Sequence, residues 1–482
     1  MKDLAKFISE YTGSDVYPFH MPGHKRQLTA AFDLYDIDVT EVEPFDDLHH
    51  PEGILKDLQD ELASYFGAKK SFYLVNGSTC GILSAITAVM DTGEYYLIFD
   101  RGSHKSAYNA LVLGDIEPEF VFSTDYKHGF YEGVYPQDVD RLLKKGQEKD
   151  DDSQKKTLKP CLYVTSPTYD GITADIAALA RLIHEQDGIL IVDEAHGAHF
   201  GMHDIFPESA VTLGADIVIQ SLHKTLPSPT QTSVLHICSD RADKFGIQNY
   251  LSIFESSSPS YVLMSGISAC MGYLEREGRG GFDLFADRLK NFYKKTENLT
   301  TLRVIYEEYD LKRRDISKIL IGTKGNVLSG HDIYRNLMDG YRLQLEMEAP
   351  FYAMAISTLM DTDEGFDRLI NALRQMDFEY AGSVHDVEKP DMPALSYGKP
   401  KAVISEGRAF RMEKEEVPIS EAAGRVSGGF IFLYPPGIPV LAPGELVTEE
   451  IRDLILSYRD HGFNIRGLKG DRMEVCSEKS LG

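Results

Sequence analysis

No stretch of about 18 apolar residues runs unbroken in this sequence, so no membrane-spanning helix is expected. The opening segment MKDLAKFISEY also lacks the apolar core of a secretory leader. Cysteine is sparse. Cys80, Cys161, Cys238, Cys270 and Cys476 are odd in number and form no CxxC pair, which argues against a disulfide framework or a zinc knuckle. Together these absences place the chain in the cytoplasm with its thiols reduced. Positive charge is short as well: 50 Lys and Arg stand against 75 Asp and Glu, a net charge of −25. Such a balance repels nucleic acid and anionic membranes and favours cationic small molecules. There is no GKS or GKT either. The DEAH at 193–196 therefore lacks the phosphate-cradling loop of a nucleotide hydrolase, and a helicase is rejected.

What is present suffices for two or three domains, since 482 residues with 43% apolar content can bury large cores. Residues 54–66 place Leu55, Leu58, Leu62 and Phe66 at helical spacing. From Ser71 onward, short apolar runs alternate with helical segments: strands are expected at 71–75, 95–99, 161–165, 189–192, 217–220 and 234–237, with helices such as 81–90 and 174–186. That alternation is the signature of an α/β fold with a mainly parallel sheet covered on both faces. The charge-dense stretch 144–159 is expected to be a surface loop, and GRGGF at 278–282 a change of element or domain. After about residue 305 the texture changes. Strand-like pieces at 317–321, 342–347, 352–357 and 430–434 mix with helices near 330–339, 364–376 and 447–460, suggesting a smaller α+β domain. The division expected is an N-terminal segment 1–50 contributing to the active site and dimer, a major domain 51–300 and a C-terminal domain 301–482.

Ligands of open α/β folds bind at the carboxyl ends of the parallel strands, and polar residues cluster at those ends here. Ser221, His223 and Lys224 follow the run 217–220, with a second apolar run close behind. A lysine held in such a turn can be kept partly neutral by burial, and its Ser and His neighbours suit an anion such as the phosphate of an aldehyde cofactor. A surface turn would show the same residues. Gly77-Ser78-Thr79, where a strand meets a helix, can bind an anion through free N–H groups and two hydroxyls, although Ser and Thr are also ordinary N-caps. Asp193, after ILIV, is placed to keep a pyridine nitrogen protonated. His104 and Thr168 to Asp170 close two further strand ends. Asp193, His196 and His199 could also ligate a metal, but helical geometry past a strand is not expected, and no metal site is assigned.

MPGHK (21–25), DDLHHPEG (46–53), NGST (76–79), DRGSHKS (100–106), SPTYDG (166–171), DEAHGAH (193–199), SLHKTLP (221–227), LQLEM (343–347) and YPPGIP (434–439) resemble, in order and over nearly the whole chain, the bacterial ornithine/lysine/arginine decarboxylases. The resemblance implies pyridoxal 5'-phosphate (PLP) fold type I: a large domain with a mainly parallel seven-stranded sheet, and a smaller α+β domain. Because MPGHK arrives by residue 21, the chain looks like the short branch without a receiver-like wing domain, and a homodimer with PLP at the subunit interface is implied. Carried over, Lys224 is the lysine that bonds the cofactor aldehyde and Asp193 the partner of the pyridine nitrogen. Ser78, Thr79, Ser221 and His223 hold the phosphate, His104 stacks on the ring, Thr168 lies near the ring hydroxyl, and His196 lies near the ring face. His24, Glu346 and the loop at Tyr434 are further carry-overs.

The implied reaction is decarboxylation of a basic L-amino acid, arginine to agmatine plus CO2 before lysine to cadaverine or ornithine to putrescine, in polyamine biosynthesis. The distal cation would be read by a carboxylate from Glu41 to Asp47, Asp46 and Asp47 above all, or by Glu346 or Glu445. An aminotransferase shares cofactor and fold. Many of them resembling this pattern carry an arginine eight residues after the lysine, where this chain has Thr232, which argues mildly for a decarboxylase. A PLP-binding regulator without activity is the third reading.

Overall fold

The computed structural model describes residues 4–27, 34–122, 131–149, 158–305, 313–381, 400–434 and 437–481. An N-terminal strand β1 (Tyr17–Phe19) precedes the large sheet, which is built from β2 (Lys70–Leu74), β3 (Tyr95–Asp100), β4 (Glu119–Val121), β5 (Lys159–Thr165), β6 (Ile189–Asp193), β7 (Ile217–Gln220) and β8 (Ser233–Ile237). Its order is β2-β8-β7-β6-β5-β3-β4. β4, β3, β5, β6 and β7 pair in parallel; β8 runs antiparallel between β7 and β2.

The strands read as unbroken apolar runs because both faces are covered. Successive side chains point to opposite faces. Leu97, Phe99, Cys161, Tyr163, Ile189, Ile191, Ile217 and Ile219 enter one core, shared with helices Gly77–Met90 and Lys105–Gly114. Ile98, Leu162, Val164, Leu190, Val192 and Val218 enter another, against helices Pro136–Lys149 and Ile176–His184. Fold class and sheet are thus as expected, with β4 added at one edge: at three residues, one of them buried, its pattern is too short to read.

Two expectations are corrected. Residues 144–149 continue the helix Pro136–Lys149, so the charged stretch begins as a helix end; 150–157 lie outside the described residues. The glycines of 278–282 end no element: helix Tyr261–Tyr273 passes through a π turn, Leu274–Gly278, into helix Arg279–Thr296. Buried Leu274, Phe282, Phe285 and Leu289 hold that run to the core, outweighing the weak helix propensity of Gly280 and Gly281.

Beyond it, β9 (Leu302–Val304), β10 (Lys318–Thr323), β11 (Leu343–Leu345), β12 (Met347–Glu348) and β13 (Tyr352–Ile356) follow. Four of them form an antiparallel sheet, β12-β13-β10-β9, while β11 pairs in parallel with β1. The N-terminal segment is thereby stitched to residues far along the chain. Its Tyr17 and Phe19 share a hydrophobic core with Leu343, Leu345, Phe366 and Phe292. The last segment adds β14 (Lys414–Pro418), β15 (Ile431–Leu433), β16 (Pro439–Leu441), β17 (Ile465–Arg466), β18 (Leu468–Lys469) and β19 (Arg472–Cys476) in two three-stranded sheets. They enclose a core of their own around Ile431, Val440, Ile455 and Val475. No helix among the described residues is long and apolar enough to cross a membrane.

Candidate active site

β2, β3, β5, β6 and β7 share one direction, so the turns that leave them open along one edge of the sheet. After β7 the chain makes a single helical turn, Leu222–Thr225, with Ser221 as its N-cap. The loop around MPGHK packs directly on it. Gly23 donates its N–H to the His223 carbonyl at 2.7 Å, and a Cβ at position 23 would meet the Leu226 carbonyl oxygen at 2.7 Å, a collision that only glycine avoids. Lys224 is half-buried, and the one hydrogen-bond partner of its Nζ among the described residues is Nε2 of His196, at 3.1 Å. Burial lowers the Lys224 pKa, against the opposing pull of Asp193 and Glu346.

Asp193 ends β6 and is 2% exposed. Oδ2 accepts from the Tyr163 hydroxyl at 3.1 Å and Oδ1 from the Ala195 N–H at 3.1 Å. Burial raises its pKa, against the opposing pull of Lys224, the Ala195 N–H and the Tyr163 hydroxyl. Its neighbour Glu194 faces away, accepting from Ser209 at 2.7 Å, Ala210 N–H at 2.8 Å and Gln220 at 2.7 Å. His196 joins two lysines: Nε2 faces Lys224 and Nδ1 lies 2.9 Å from Nζ of Lys318. The edge of Tyr169 abuts its ring, centroids 4.7 Å apart. Burial and these cations hold His196 well below its ordinary pKa, so it is a neutral imidazole. His199, in contrast, pairs with Asp315 at 3.2 Å, and no metal-ligating group of three occurs among the described residues.

His104 caps the helix Lys105–Gly114, its Nδ1 accepting from Ser106 N–H at 3.2 Å, and its side chain is exposed at the strand end. Partial burial, with Lys224 and Lys105 adding repulsion, lowers its pKa. Ser78 and Thr79 stand in the first turn of helix Gly77–Met90; its N-cap Asn76 makes no side-chain cap bond, which leaves first-turn N–H groups for another acceptor. His223 lies 2.8 Å by Nδ1 from the Thr232 carbonyl, so that nitrogen carries the proton. Thr232 itself is fully buried in the turn. The Thr168 hydroxyl accepts from Ile172 N–H at 3.1 Å and keeps its own proton to donate.

Five candidates stand differently. Ser221 is fully buried, with Ser233 Oγ 3.5 Å away, and presents no surface to a ligand. Asp46 accepts from the N–H groups of Asp47, Glu52, Gly53 and Leu55, and Asp47 from that of His49; both carboxylates organise their own loop, and no contact among the described residues joins them to Lys224. His24 accepts from Arg26 N–H at 3.0 Å within the MPGHK turn. Glu346 is central: it accepts from Met21 N–H at 2.9 Å and the Tyr169 hydroxyl at 2.6 Å, and so reaches His196 through Tyr169. Glu346 also lines a cleft of about 300 Å³ with Glu348, Tyr334, Tyr434 and Phe463.

Residues 3–309 match the Orn/Lys/Arg decarboxylase major domain and residues 397–467 the C-terminal domain of the same group. The chain belongs to the Orn/Lys/Arg decarboxylase family. Within it, the chain is 32% identical to the arginine decarboxylase of Bacillus subtilis (strain 168), covering 95% of this chain and 94% of that one. It is 22% identical to the inducible lysine decarboxylase of Escherichia coli (strain K12), over 94% of this chain and 76% of that one. The fold is shared with the Francisella novicida lysine decarboxylase: TM-score 0.75, 20% identity, 99% of this chain and 84% of that one. Two site residues escape the sequence reading, Tyr163 and Lys318, while Tyr169 falls within the strand-end stretch Thr168 to Asp170. Each carried a signal, since a tyrosine or lysine inside an apolar strand or tight turn must find a partner for its polar end.

Proposed function

We propose that this protein is a PLP-dependent decarboxylase of basic L-amino acids, with arginine preferred over lysine and lysine over ornithine. The observation that carries the reading is Lys224: a half-buried amine hydrogen-bonded to a neutral imidazole, beside the buried carboxylate of Asp193. The residues suit PLP part by part. The Lys224 amine would bond its aldehyde, Asp193 would meet the pyridine nitrogen, and the first turn of helix Gly77–Met90, with Ser78, Thr79 and His223, would hold the phosphate. His104 would stack on the ring and Thr168 would donate to its hydroxyl. Bound there, PLP supplies a sink for the electron pair released when the Cα–carboxylate bond breaks.

The chain's own groups do the rest. Asp193 holds a negative charge where the pyridine nitrogen would carry a positive one, and Tyr163 and the Ala195 N–H keep it aimed. His196 holds a proton within reach of Lys224 Nζ, which lets the lysine take up or give back a proton without water. The substrate's distal cation would meet Glu346 and Glu348 in the cleft that Tyr334 and Tyr434 also line. A planar guanidinium matches carboxylates and aromatic faces better than a compact ammonium does, which favours arginine, as does the name of the Bacillus subtilis relative. A cytoplasmic location and a homodimer belong to the same proposal, and the exposed Leu34, Tyr35, Val42, Phe45 and Ile54 in one N-terminal stretch support the dimer.

The test is product identification by mass after separate incubation with arginine, lysine and ornithine. Agmatine as the fastest product is expected. Cadaverine or putrescine as the fastest product reverses the substrate order, and a keto acid without CO2 overturns the decarboxylase. Borohydride should fix PLP to the wild type and not to Lys224→Ala.

A further inference from the structure

Lys318 opens β10 and points into the site from the opposite side of His196. Its stem passes over Gly171, where a Cβ would come within 2.8 Å of Lys318 Cγ. Gly171 has φ +92, so both its backbone conformation and the space above it require glycine. The lysine is completely buried. Charged and titratable groups surround it: His196 in contact, Asp315, Glu346, Lys224 and Lys25 near enough to act on it, and Asp170 near enough to feel it.

A neutral imidazole has one N–H and one lone pair, so it cannot accept from ammonium groups at both nitrogens. With Lys224 at Nε2 and Lys318 at Nδ1, at most one of the two lysines donates to the ring. The ring's lone pair goes to the lysine with the shorter contact, Lys318 at 2.9 Å against Lys224 at 3.1 Å.

We propose that Lys318 is a positioning residue: it donates to Nδ1 of His196, fixes the tautomer whose Nε2–H faces Lys224, and so keeps the Lys224 amine as the free base. The inference rests on the reading of Lys224 as the reactive amine. Proton balance closes within the three groups. When Lys224 takes a proton from Nε2, Lys318 gives one to Nδ1 and is left neutral, with no change in total charge. Burial brings the Lys318 pKa down to about 8, close enough to neutrality for that exchange to be shallow.

The experiment is competitive labelling of the full-length protein, freed of cofactor, with acetic anhydride across the lysine titration range, with acetylation of Lys224 read by peptide mass. Lys318→Met should raise the Lys224 midpoint by about one pH unit, and Lys318→Arg, which keeps the donor, should restore it. In a His196→Phe background Lys318→Met should add nothing. A midpoint unmoved by Lys318→Met, or a shift that persists without the imidazole, overturns the proposal. Where Lys318→Met does not fold, Lys318→Arg against His196→Phe decides it: the first must keep the wild-type midpoint and the second must raise it. Borohydride fixation of PLP to the wild type tests the parent reading separately. Fixation with an unmoved midpoint removes only the role of Lys318; a moved midpoint without fixation removes only the PLP assignment.

Discussion

Two lysines, one buried and one half-buried, lie in touching segments of this molecule and are treated in opposite ways. Lys25, in the N-terminal loop, donates to the carbonyls of Pro18 at 3.2 Å, His20 at 3.0 Å and Ile356 at 2.7 Å, with Asp361 3.8 Å away. Its three donors are all spent. Lys224, on the helical turn that this loop covers, has one ring nitrogen. Burial lowers both pKa values, so depressed basicity alone does not separate structure from chemistry. Partner saturation does: an amine whose donors are all held is locked, and an amine left short is available to react.

The same substitution at the two positions sharpens that contrast most. Lys25→Met leaves Asp361 buried without its cation and should cost about 4 kcal/mol of stability, read from the denaturant midpoint. Lys224→Met removes a poorly partnered, half-buried amine and should leave stability within about 1 kcal/mol of wild type, or raise it, while activity disappears. Equal losses at both sites would break the comparison. Next in size is Asp193→Asn, which should preserve the fold and lower turnover about 10²- to 10³-fold, because an amide cannot stabilise the protonated pyridine nitrogen by charge. Near-wild-type turnover would exclude that role.

The residues legible in the sequence were those whose place follows from the strand pattern. Asp193, His104 and Lys224 each follow an apolar run, and a parallel sheet lines up the ends of such runs. Lys318 was hidden because it stands at the start of its strand, in a sheet remote in sequence, and only tertiary packing carries its side chain to His196. Asp46 is hard to read in the sequence for the opposite reason. Its place in an acidic, apolar-interleaved stretch says nothing of where its oxygens turn, and they turn inward to the loop backbone.

Two buried imidazoles extend the contrast. His196 bridges two lysines, whereas His236 is closed between Ser71, 2.7 Å from Nδ1, and Gln220, 3.2 Å from Nε2. Gln220 gives its amide to Glu194, so its carbonyl oxygen accepts from Nε2–H and the ring is neutral. Burial pushes the His236 pKa down to about 3, below the unfolded value of about 6.5. Between those values the unfolded chain binds the extra proton, so this contribution is full above about pH 6.5 and is lost as pH falls. Urea unfolding at a series of pH values should show His236→Gln flatter than wild type by up to about 1.4 kcal/mol per pH unit in that window. Parallel profiles would show that His236 is not held neutral.

The smallest expected effect belongs to Asp46, where saturation predicts the absence of a functional phenotype. Oδ1 accepts from Asp47 and Glu52 and Oδ2 from Gly53 and Leu55, so the carboxylate ties the loop to the start of helix Ile54–Phe66. Burial alone would raise its pKa, but these four N–H groups hold it below the usual range. Asp46→Asn keeps one acceptor oxygen and turns the other into a donor, stranding one pair of N–H groups. Because Glu52 and Gly53 are exposed, water replaces part of what is lost, and the cost should be about 1 kcal/mol in urea unfolding. The KM for arginine should stay within about twofold of wild type, well under the tenfold that about 1.4 kcal/mol of lost binding would produce. Glu346→Gln should raise it by about that tenfold. If Asp46→Asn instead raises KM with stability intact, the acidic loop reads the substrate cation, and saturation of a carboxylate by backbone N–H groups does not exclude a binding role.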